Sequence, residues 1–239
     1  MVESIKKLRE ICQKPVRLNT LYQKHVARKL SIYITWLFIK LKITGNQASL
    51  LMIIVGIIGS SLFIFGSYWY YLTAVLTLQF WFILDHVDGE LARYWKKTSA
   101  KGIFIDKLNH HLIHPLIFLC LGIGMYKQFN NALMLILGSF TAYSLLLQDL
   151  INMDKKDSIG DKKIKKDVKS ENKQNTQKFL FQKVSLIIYK VPGIMNIITI
   201  AAILNILKYI FIFYAFTFPI MILLKILYNL SLSEDKFAT

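Results

Sequence analysis

Long apolar stretches recur along this chain of 239 residues and constrain its fold more than any other feature. An α-helix needs about 20 apolar residues to cross a hydrocarbon core that is about 30 Å thick. The stretches lack the two-residue alternation of barrel strands, and a helix satisfies its own backbone hydrogen bonds in lipid. Hydrophobic residues make up 54% of the chain and charged residues 18%, which is too apolar for an ordinary soluble domain. The sequence therefore predicts an all-α, polytopic integral membrane protein.

Six of these stretches are predicted to span the membrane, over about 48–65, 68–84, 107–126, 132–150, 191–207 and 209–228. Residues 20–42 mix basic residues with aromatic and aliphatic ones, which favours an amphipathic juxtamembrane helix. The segment 152–183 is rich in Lys, Asp, Asn and Gln and is predicted to be a charged loop. We thus divide the chain into an N-terminus with the juxtamembrane helix over 1–43, a six-helix transmembrane domain over 44–229, and a C-terminal tail over 230–239.

The formal net charge of +16 comes from basic residues at the N-terminus, in the segment 96–101 and in the loop 152–183. Segments rich in Lys and Arg stay on the cytoplasmic side, where anionic lipid headgroups attract them. We therefore expect both termini in the cytoplasm, and membrane lipids rather than nucleic acid as partners. The N-terminal segment has no apolar h-region, so a cleaved signal peptide is not expected. Cys12 and Cys120 are isolated, which argues against a disulfide framework.

Ionisable residues gather at the end of the second predicted span and in the segment that follows it. Charged groups at this depth are costly unless they are paired, hydrated or bound to a metal, so they are functional candidates. At about 100° per residue, one helical face collects two carboxylates and two small residues. That face carries Asp85, Asp88, Gly89 and Ala92. A second stripe, with a spacing of four residues, consists of Gly102, Asp106, His110 and His114. Two helices joined by a short loop would bring the stripes together.

Clustered carboxylates repel one another, and a hard divalent cation is the usual relief. Aspartate oxygens suit Mg²⁺, Mn²⁺ or Ca²⁺. Mg²⁺ is commonly held by a few carboxylates and keeps its other positions for water and substrate phosphate. Glycine and alanine beside such a site allow a bulky ligand to approach the backbone. The two stripes therefore predict a metal site that takes a phosphorylated ligand.

The spacing of these residues resembles the signature of the CDP-alcohol phosphatidyltransferases. The pattern is Asp85-x2-Asp88-Gly89-x2-Ala92-Arg93-x8-Gly102-x3-Asp106-x3-His110. It departs from the family at the last position, where the family has a fourth Asp. The segment ITGNQASLL resembles the family's Thr-Pro-Asn segment, with Gly45 in the place of Pro.

The resemblance implies a six-helix catalytic domain behind a juxtamembrane helix, commonly in a homodimer. The implied reaction is the metal-dependent transfer of a substituted phosphate group from a CDP-alcohol to a hydroxyl acceptor, with release of CMP. The implied role is phospholipid or related envelope biosynthesis, with the active site facing the cytoplasm. Two divalent cations, Mg²⁺ or Mn²⁺, are the implied cofactors.

The resemblance also implies a role for each motif residue. Asp85, Asp88 and Asp106 would hold the two cations, which bridge the donor's diphosphate, so that Asp85 also belongs to the donor site and Asp106 to the catalytic residues. Gly89, Ala92 and Gly102 would make room for the nucleotide. Arg93 would pair with carboxylates or phosphate. His110 stands where the family's general base is expected, and an imidazole suits proton transfer at neutral pH. We predict His110 as the general base, with metal ligand as the rival role.

Other polar residues of the region receive plainer interpretations. Glu90 points away from the aspartate face and is expected to be hydrated. His111 lies on the opposite face from His110 and is expected to form a hydrogen bond, whereas His114 is expected to line the pocket. Asn46 is interpreted as a helix cap or as a support for the pocket. Few charges occur in the last two predicted spans, chiefly Lys190 and Lys208, which favours an acceptor without phosphate.

Three other functions are alternatives for a membrane chain with these carboxylates. A cation transporter or channel would spread its carboxylates through the bundle, whereas these lie at one helix end. An intramembrane prenyltransferase would separate its two Asp motifs widely in sequence. A non-catalytic scaffold is compatible with the missing fourth Asp.

Overall fold

The computed structural model describes residues 3–13, 22–97, 99–159 and 191–230. Within these ranges every regular element is a helix, which confirms the all-α prediction. Four described helices are long and apolar enough to cross a membrane, over 45–65, 100–129, 133–153 and 207–227. The count of six spans stays a prediction. Most of the predicted charged loop and the C-terminal tail lie outside the described residues.

Two short helices precede the bundle. Helix α1 covers Ile5–Cys12 and is capped by Ser4, whose hydroxyl accepts from the amide of Lys7. Helix α2 covers Arg28–Lys40 and follows a single π-helical turn over Gln23–Ala27. Helix α2 thus lies where the juxtamembrane helix is predicted.

Helix α3 covers Gly45–Leu62 and begins with a capping box. The hydroxyl of Thr44 accepts from the amide of Gln47, and the side chain of Gln47 accepts from the amide of Thr44. The cap is therefore Thr44, and Asn46 is free of that task. A 3₁₀ turn over Phe63–Phe65 ends at Gly66, whose left-handed φ of 69° suits glycine. This turn falls between the first two predicted spans, 48–65 and 68–84.

Helix α4 covers Tyr68–Tyr94 and helix α5 covers Ala100–Phe129, so both extend beyond their predicted spans. Helix α4 continues through the first half of the motif without a break. Helix α5 is capped by Ser99, whose hydroxyl accepts from the amide of Gly102 at 3.0 Å. The two halves of the motif are therefore the end of one helix and the beginning of the next.

The remaining helices are α6 over Leu133–Ile159, α7 over Val191–Ile203 and α8 over Leu207–Leu230. Helix α6 continues past the predicted end of the fourth span. The prediction of a loop from residue 152 is therefore wrong for residues 152–159. Helix α7 is apolar but shorter than the helices that qualify as spans.

Close backbone contacts hold α5 against its neighbours. A Cβ atom added to Gly122 would lie 2.9 Å from the Cα atom of Gly138 on α6. One added to Gly124 would lie 1.9 Å from the carbonyl oxygen of Phe63. Small residues of this kind allow helices to approach closely in a membrane, where apolar burial gives little drive to associate. Helix α5 is thereby fixed between α3 and α6.

Candidate active site

Three side chains from the two motif stripes form one cluster. Asp85 comes from α4, and Asp106 and His110 lie one turn apart on α5. The Nε2 atom of His110 is 3.1 Å from a carboxylate oxygen of Asp85 and 3.5 Å from one of Asp106. One donor atom from each residue lies within 4.8 Å of the others. The arrangement can hold a divalent cation. All three residues are candidates for the metal site in the sequence analysis.

Neighbouring aromatic and polar residues position this cluster. His86, which the motif does not contain, places its Nδ1 atom 3.5 Å from the second carboxylate oxygen of Asp85. The fully buried Trp81 meets His110 and His114 edge-on, with ring centroids 5.8 and 5.7 Å apart. Its indole nitrogen donates to Asn109 at 3.0 Å. The imidazole of His110 is thus packed on one side and faces carboxylates on the other.

A cavity of about 160 Å³, here called the motif cavity, adjoins the cluster. Its lining includes the three small residues of the motif together with two of its carboxylates. The lining residues of the motif are Asp88, Gly89, Ala92, Gly102 and Asp106. A carboxylate oxygen of Asp88 accepts from the hydroxyl of Ser49 at 2.8 Å. Among the described residues, Asp88 lies beside the Asp85–Asp106–His110 cluster rather than in it.

Local packing also favours glycine at two motif positions that line the motif cavity, Gly89 and Gly102. A Cβ atom on Gly102 would lie 2.6 Å from the side-chain oxygen of Asn46, which itself lines the cavity. One on Gly89 would lie 3.3 Å from the guanidinium of Arg93. The prediction that Asn46 supports the pocket is consistent with this placement.

Arg93 and Glu90 connect the motif to the N-terminal helices. The Nε atom of Arg93 donates to the backbone carbonyl of Cys12, and in the described chain no carboxylate forms an ion pair with Arg93. Its pairing with phosphate stays a prediction. Glu90 is only 1% exposed, so the expectation of a hydrated side chain is wrong.

The carboxylate of Glu90 accepts three hydrogen bonds from the segment before α3. They come from Ser31 at 2.8 Å, Thr35 at 2.6 Å and Gln13 at 2.9 Å. The side chain does point away from the aspartate face, as the helical period predicts. That side of α4 is covered by α2 and the end of α1, which the period alone cannot reveal.

A second cavity of about 370 Å³ continues from the motif cavity and shares part of its lining. It adds the basic and aromatic residues Lys42 and Trp95, and Lys97 and Ser99 line both cavities. Sequence reasoning assigned Lys97 to membrane topology alone and passed over the other three. Their sequence positions gave no signal, because the contact depends on how the α2–α3 and α4–α5 connections meet.

Two further histidines of α5, His111 and His114, make contacts outside the cluster. The Nδ1 atom of His111 is 2.7 Å from a carboxylate oxygen of Asp149 on α6, so the predicted hydrogen bond is present. His114 lines a separate small cavity between α5, α6 and α7. The prediction that His114 lines the pocket of the motif is therefore wrong, because His114 lines this separate cavity and not the motif cavity.

Comparison with known families gives the class of the protein. The sequence model described as CDP-alcohol phosphatidyltransferase matches residues 42–221, which is well over half of the chain. The chain therefore belongs to the CDP-alcohol phosphatidyltransferase family. No curated protein matches it significantly. The family implies the transfer of a phosphate-linked group from a CDP-alcohol to an acceptor in lipid synthesis.

Proposed function

We propose that this protein is a metal-dependent phosphotransferase that moves a substituted phosphate group from a CDP-alcohol to a hydroxyl acceptor and releases CMP. The observation that carries the proposal is the Asp85–Asp106–His110 cluster beside a cavity lined by Gly89, Ala92 and Gly102. A metal site next to small residues suits a diphosphate whose nucleotide lies close to the backbone.

The residues present fit divalent cations. Carboxylate oxygens are preferred ligands of Mg²⁺ and Mn²⁺, and an imidazole nitrogen is compatible with Mn²⁺. We assign one cation to Asp85 and Asp106, and His110 lies beside this cation as the proposed base. A second cation is assigned to Asp88 at the motif cavity. When bound, the cations neutralise the diphosphate and stabilise the leaving CMP.

In the proposed reaction a new bond forms between the acceptor oxygen and the distal phosphorus of the donor. The bond from that phosphorus to the bridging oxygen breaks, and this oxygen leaves with CMP. His110 takes the acceptor's hydroxyl proton. Lys97 and Lys42 line the cavities and supply positive charge for the nucleotide's phosphates. Arg93, whose guanidinium lies beside Gly89, is assigned the same role. A homodimer and a cytoplasmic orientation of the site belong to the same proposal.

A cation transporter is the main competing function from another class. In the described helices, carboxylates near the cluster collect at one end of α4 and α5, as a one-sided site requires. A transported ion would need further ligands deeper in the bundle. Divalent-cation flux into proteoliposomes without nucleotide would support the transporter.

The proposed function is tested by incubating the purified protein with a panel of CDP-alcohols, Mg²⁺ or Mn²⁺, and a mixed pool of acceptor alcohols. Mass spectrometry would follow CMP and the product that carries the transferred phosphate. We expect both to appear in equal amounts and only with metal. Folded protein that yields neither product, but conducts cations, would overturn the proposal.

A further inference from the structure

A separate cavity of about 70 Å³ lies between α5, α6 and α7, here called the α6 cavity. Its polar lining consists of His114, Gln148 and Asp149, and the rest is apolar, including Phe118 and Met195. A water molecule occupies about 30 Å³ in the liquid, so the α6 cavity has room for a small group such as a hydroxymethyl.

The order of contacts along α5 relates the α6 cavity to the proposed chemistry. Asp106 lines the motif cavity, His110 follows one turn later, and His114 lines the α6 cavity after one more turn. Four helical residues rise about 6 Å, so the two cavities lie on opposite sides of His110 along the helix. An in-line transfer needs the entering oxygen on the side of phosphorus opposite to the leaving group. With the nucleotide in the motif cavity and the transferred phosphorus at the Asp85–Asp106–His110 cluster, the acceptor would enter from the side of the α6 cavity.

Two buried imidazole nitrogens without hydrogen-bond partners in the described part of the chain also point to a ligand near the α6 cavity. The Nε2 atom of His114 is buried and has no hydrogen-bond partner among the described residues, and the same holds for Nδ1 of His110. The two imidazoles are neighbours, with ring centroids 5.3 Å apart. Buried polar atoms are rarely left without partners, so a ligand hydroxyl or water is expected beside them.

The charge of the lining limits which acceptor fits. No lysine or arginine occurs among the described residues that line the α6 cavity. Of the two charges noted near the last predicted spans, Lys208 lies over the ring of Phe129 at the far end of α5, and Lys190 lies outside the described residues. Lys225 donates to Asn152, one turn beyond Asp149, and is not part of the lining. A phosphate in this cavity would meet the Asp149 carboxylate, whose partner among the described residues is His111, with no described lysine or arginine in the lining to offset the repulsion.

We propose that the α6 cavity binds the hydroxyl-bearing end of the acceptor alcohol, and that it selects an acceptor molecule that carries no phosphate. Gln148 and His114 hydrogen-bond that end of the acceptor. This inference rests on the proposed transfer from a CDP-alcohol and specifies the acceptor class of the same reaction.

The test compares matched acceptors with the purified wild-type protein and two variants. The acceptor pairs are glycerol with glycerol 3-phosphate and inositol with inositol phosphate, and diacylglycerol serves as a lipid acceptor. Gln148→Leu removes a polar group from the α6 cavity. Gln128→Leu is the matched control, because Gln128 accepts from Tyr71 at the far end of α5. Calorimetric binding of the CDP-alcohol with Mn²⁺ reports the donor site independently.

In each acceptor pair, we expect the kcat/KM of the wild-type enzyme to be at least about tenfold higher for the member without phosphate. A tenfold difference is the size of one interaction of ordinary strength. Gln148→Leu is expected to raise the acceptor KM at least about fivefold, again the size of one interaction. Its donor affinity is expected to stay near that of the wild type. The Gln128→Leu variant is expected to keep both the acceptor KM and the donor affinity of the wild type. The inference is overturned by a preference for phosphorylated acceptors, by an unchanged acceptor KM in Gln148→Leu, or by CMP release without transfer to any unphosphorylated acceptor. Failure to bind the donor at all would instead refute the proposed function.

Discussion

At the scale of single residues, His110 differs most from the family pattern and has the most informative surroundings. Its Nε2 atom faces the carboxylates of Asp85 and Asp106, while its Nδ1 atom has no partner among the described residues. One ring can therefore face the metal site with one nitrogen and an acceptor with the other. The two predicted roles of His110 are separable by experiment, because only the ligand role is needed for metal binding.

Replacing His110 by Gln keeps a polar side chain but removes a group that can carry the proton. We expect kcat to fall by about 100-fold or more, the usual contribution of a positioned base, while Mn²⁺ affinity changes less than about threefold. Metal affinity is measured by calorimetry and turnover by CMP release. Asp106→Asn provides the reference for a lost ligand. A His110→Gln protein that binds metal as poorly as Asp106→Asn would make His110 a ligand instead.

At the scale of helices, buried hydrogen bonds and glycine contacts decide how the motif helices are held. Ser31, Thr35 and Gln13 donate to Glu90, which ties the segment before α3 to α4 within two residues of Asp88. The helices themselves were predictable, because their apolar stretches are long and their motif residues recur at helical spacing. The Glu90 contacts were not, because a helical period gives the direction of a side chain but not what covers it.

Truncating Glu90 tests whether this contact holds α2 in place. Glu90→Ala removes the acceptor that Ser31, Thr35 and Gln13 share. The hydroxyls of Ser31 and Thr35 on α2 are buried, so α2 should lose on the order of 3 kcal/mol of protection against exchange. Hydrogen exchange of α2 amides in detergent measures this loss. Glu10→Ala on the exposed side of α1 is the control. Equal exchange in the two variants would mean that packing alone, rather than these hydrogen bonds, retains α2.

The contact between Gly124 and the turn after α3 gives a second prediction at this scale. A methyl group at Gly124 would overlap the carbonyl oxygen of Phe63, and neither backbone can move without shifting its helix. Gly124→Ala is expected to cost about 1–3 kcal/mol in the free energy of unfolding, as overpacked cores do. Gly59→Ala should cost less, because the atoms nearest to its added methyl would belong to the side chains of Leu78 and Thr77 rather than to backbone. Unfolding in detergent checks the order, and the reverse order would contradict this packing.

At the scale of the whole molecule, the sequence predicted the class, the helix order and the motif cluster, whereas the cavities depended on tertiary contacts. Spacing within one helix relates Asp106 to His110, but only packing brings Lys42 and Trp95 to the same cavity. The predicted extent of the fourth helix was too short because charged residues were interpreted as a loop. Charged residues indicate where the membrane ends, but a helix can continue beyond that point.

The predicted orientation can be tested by cysteine labelling from the two sides of the membrane. Lys97→Cys and Asn131→Cys lie at opposite ends of α5, so only Lys97→Cys should react with an impermeant maleimide from the cytoplasmic side. Native Cys12 and Cys120 are buried, and burial raises the pKa of the Cys12 thiol to about 11, so background labelling near neutral pH is expected to be slow. Labelling of Asn131→Cys from the cytoplasmic side would reverse the predicted topology.

The central claim is that the motif carboxylates support metal-dependent cleavage of a CDP-alcohol. The most direct measurement is the rate of CMP release by the purified wild-type protein and by Asp88→Asn, each with Mn²⁺ and with a chelator. We predict release by the wild type only with metal, and a loss of at least about 100-fold in Asp88→Asn, in the range seen when one electrostatic contact to a transition state is removed. CMP release that persists with chelator or in Asp88→Asn would contradict the claim.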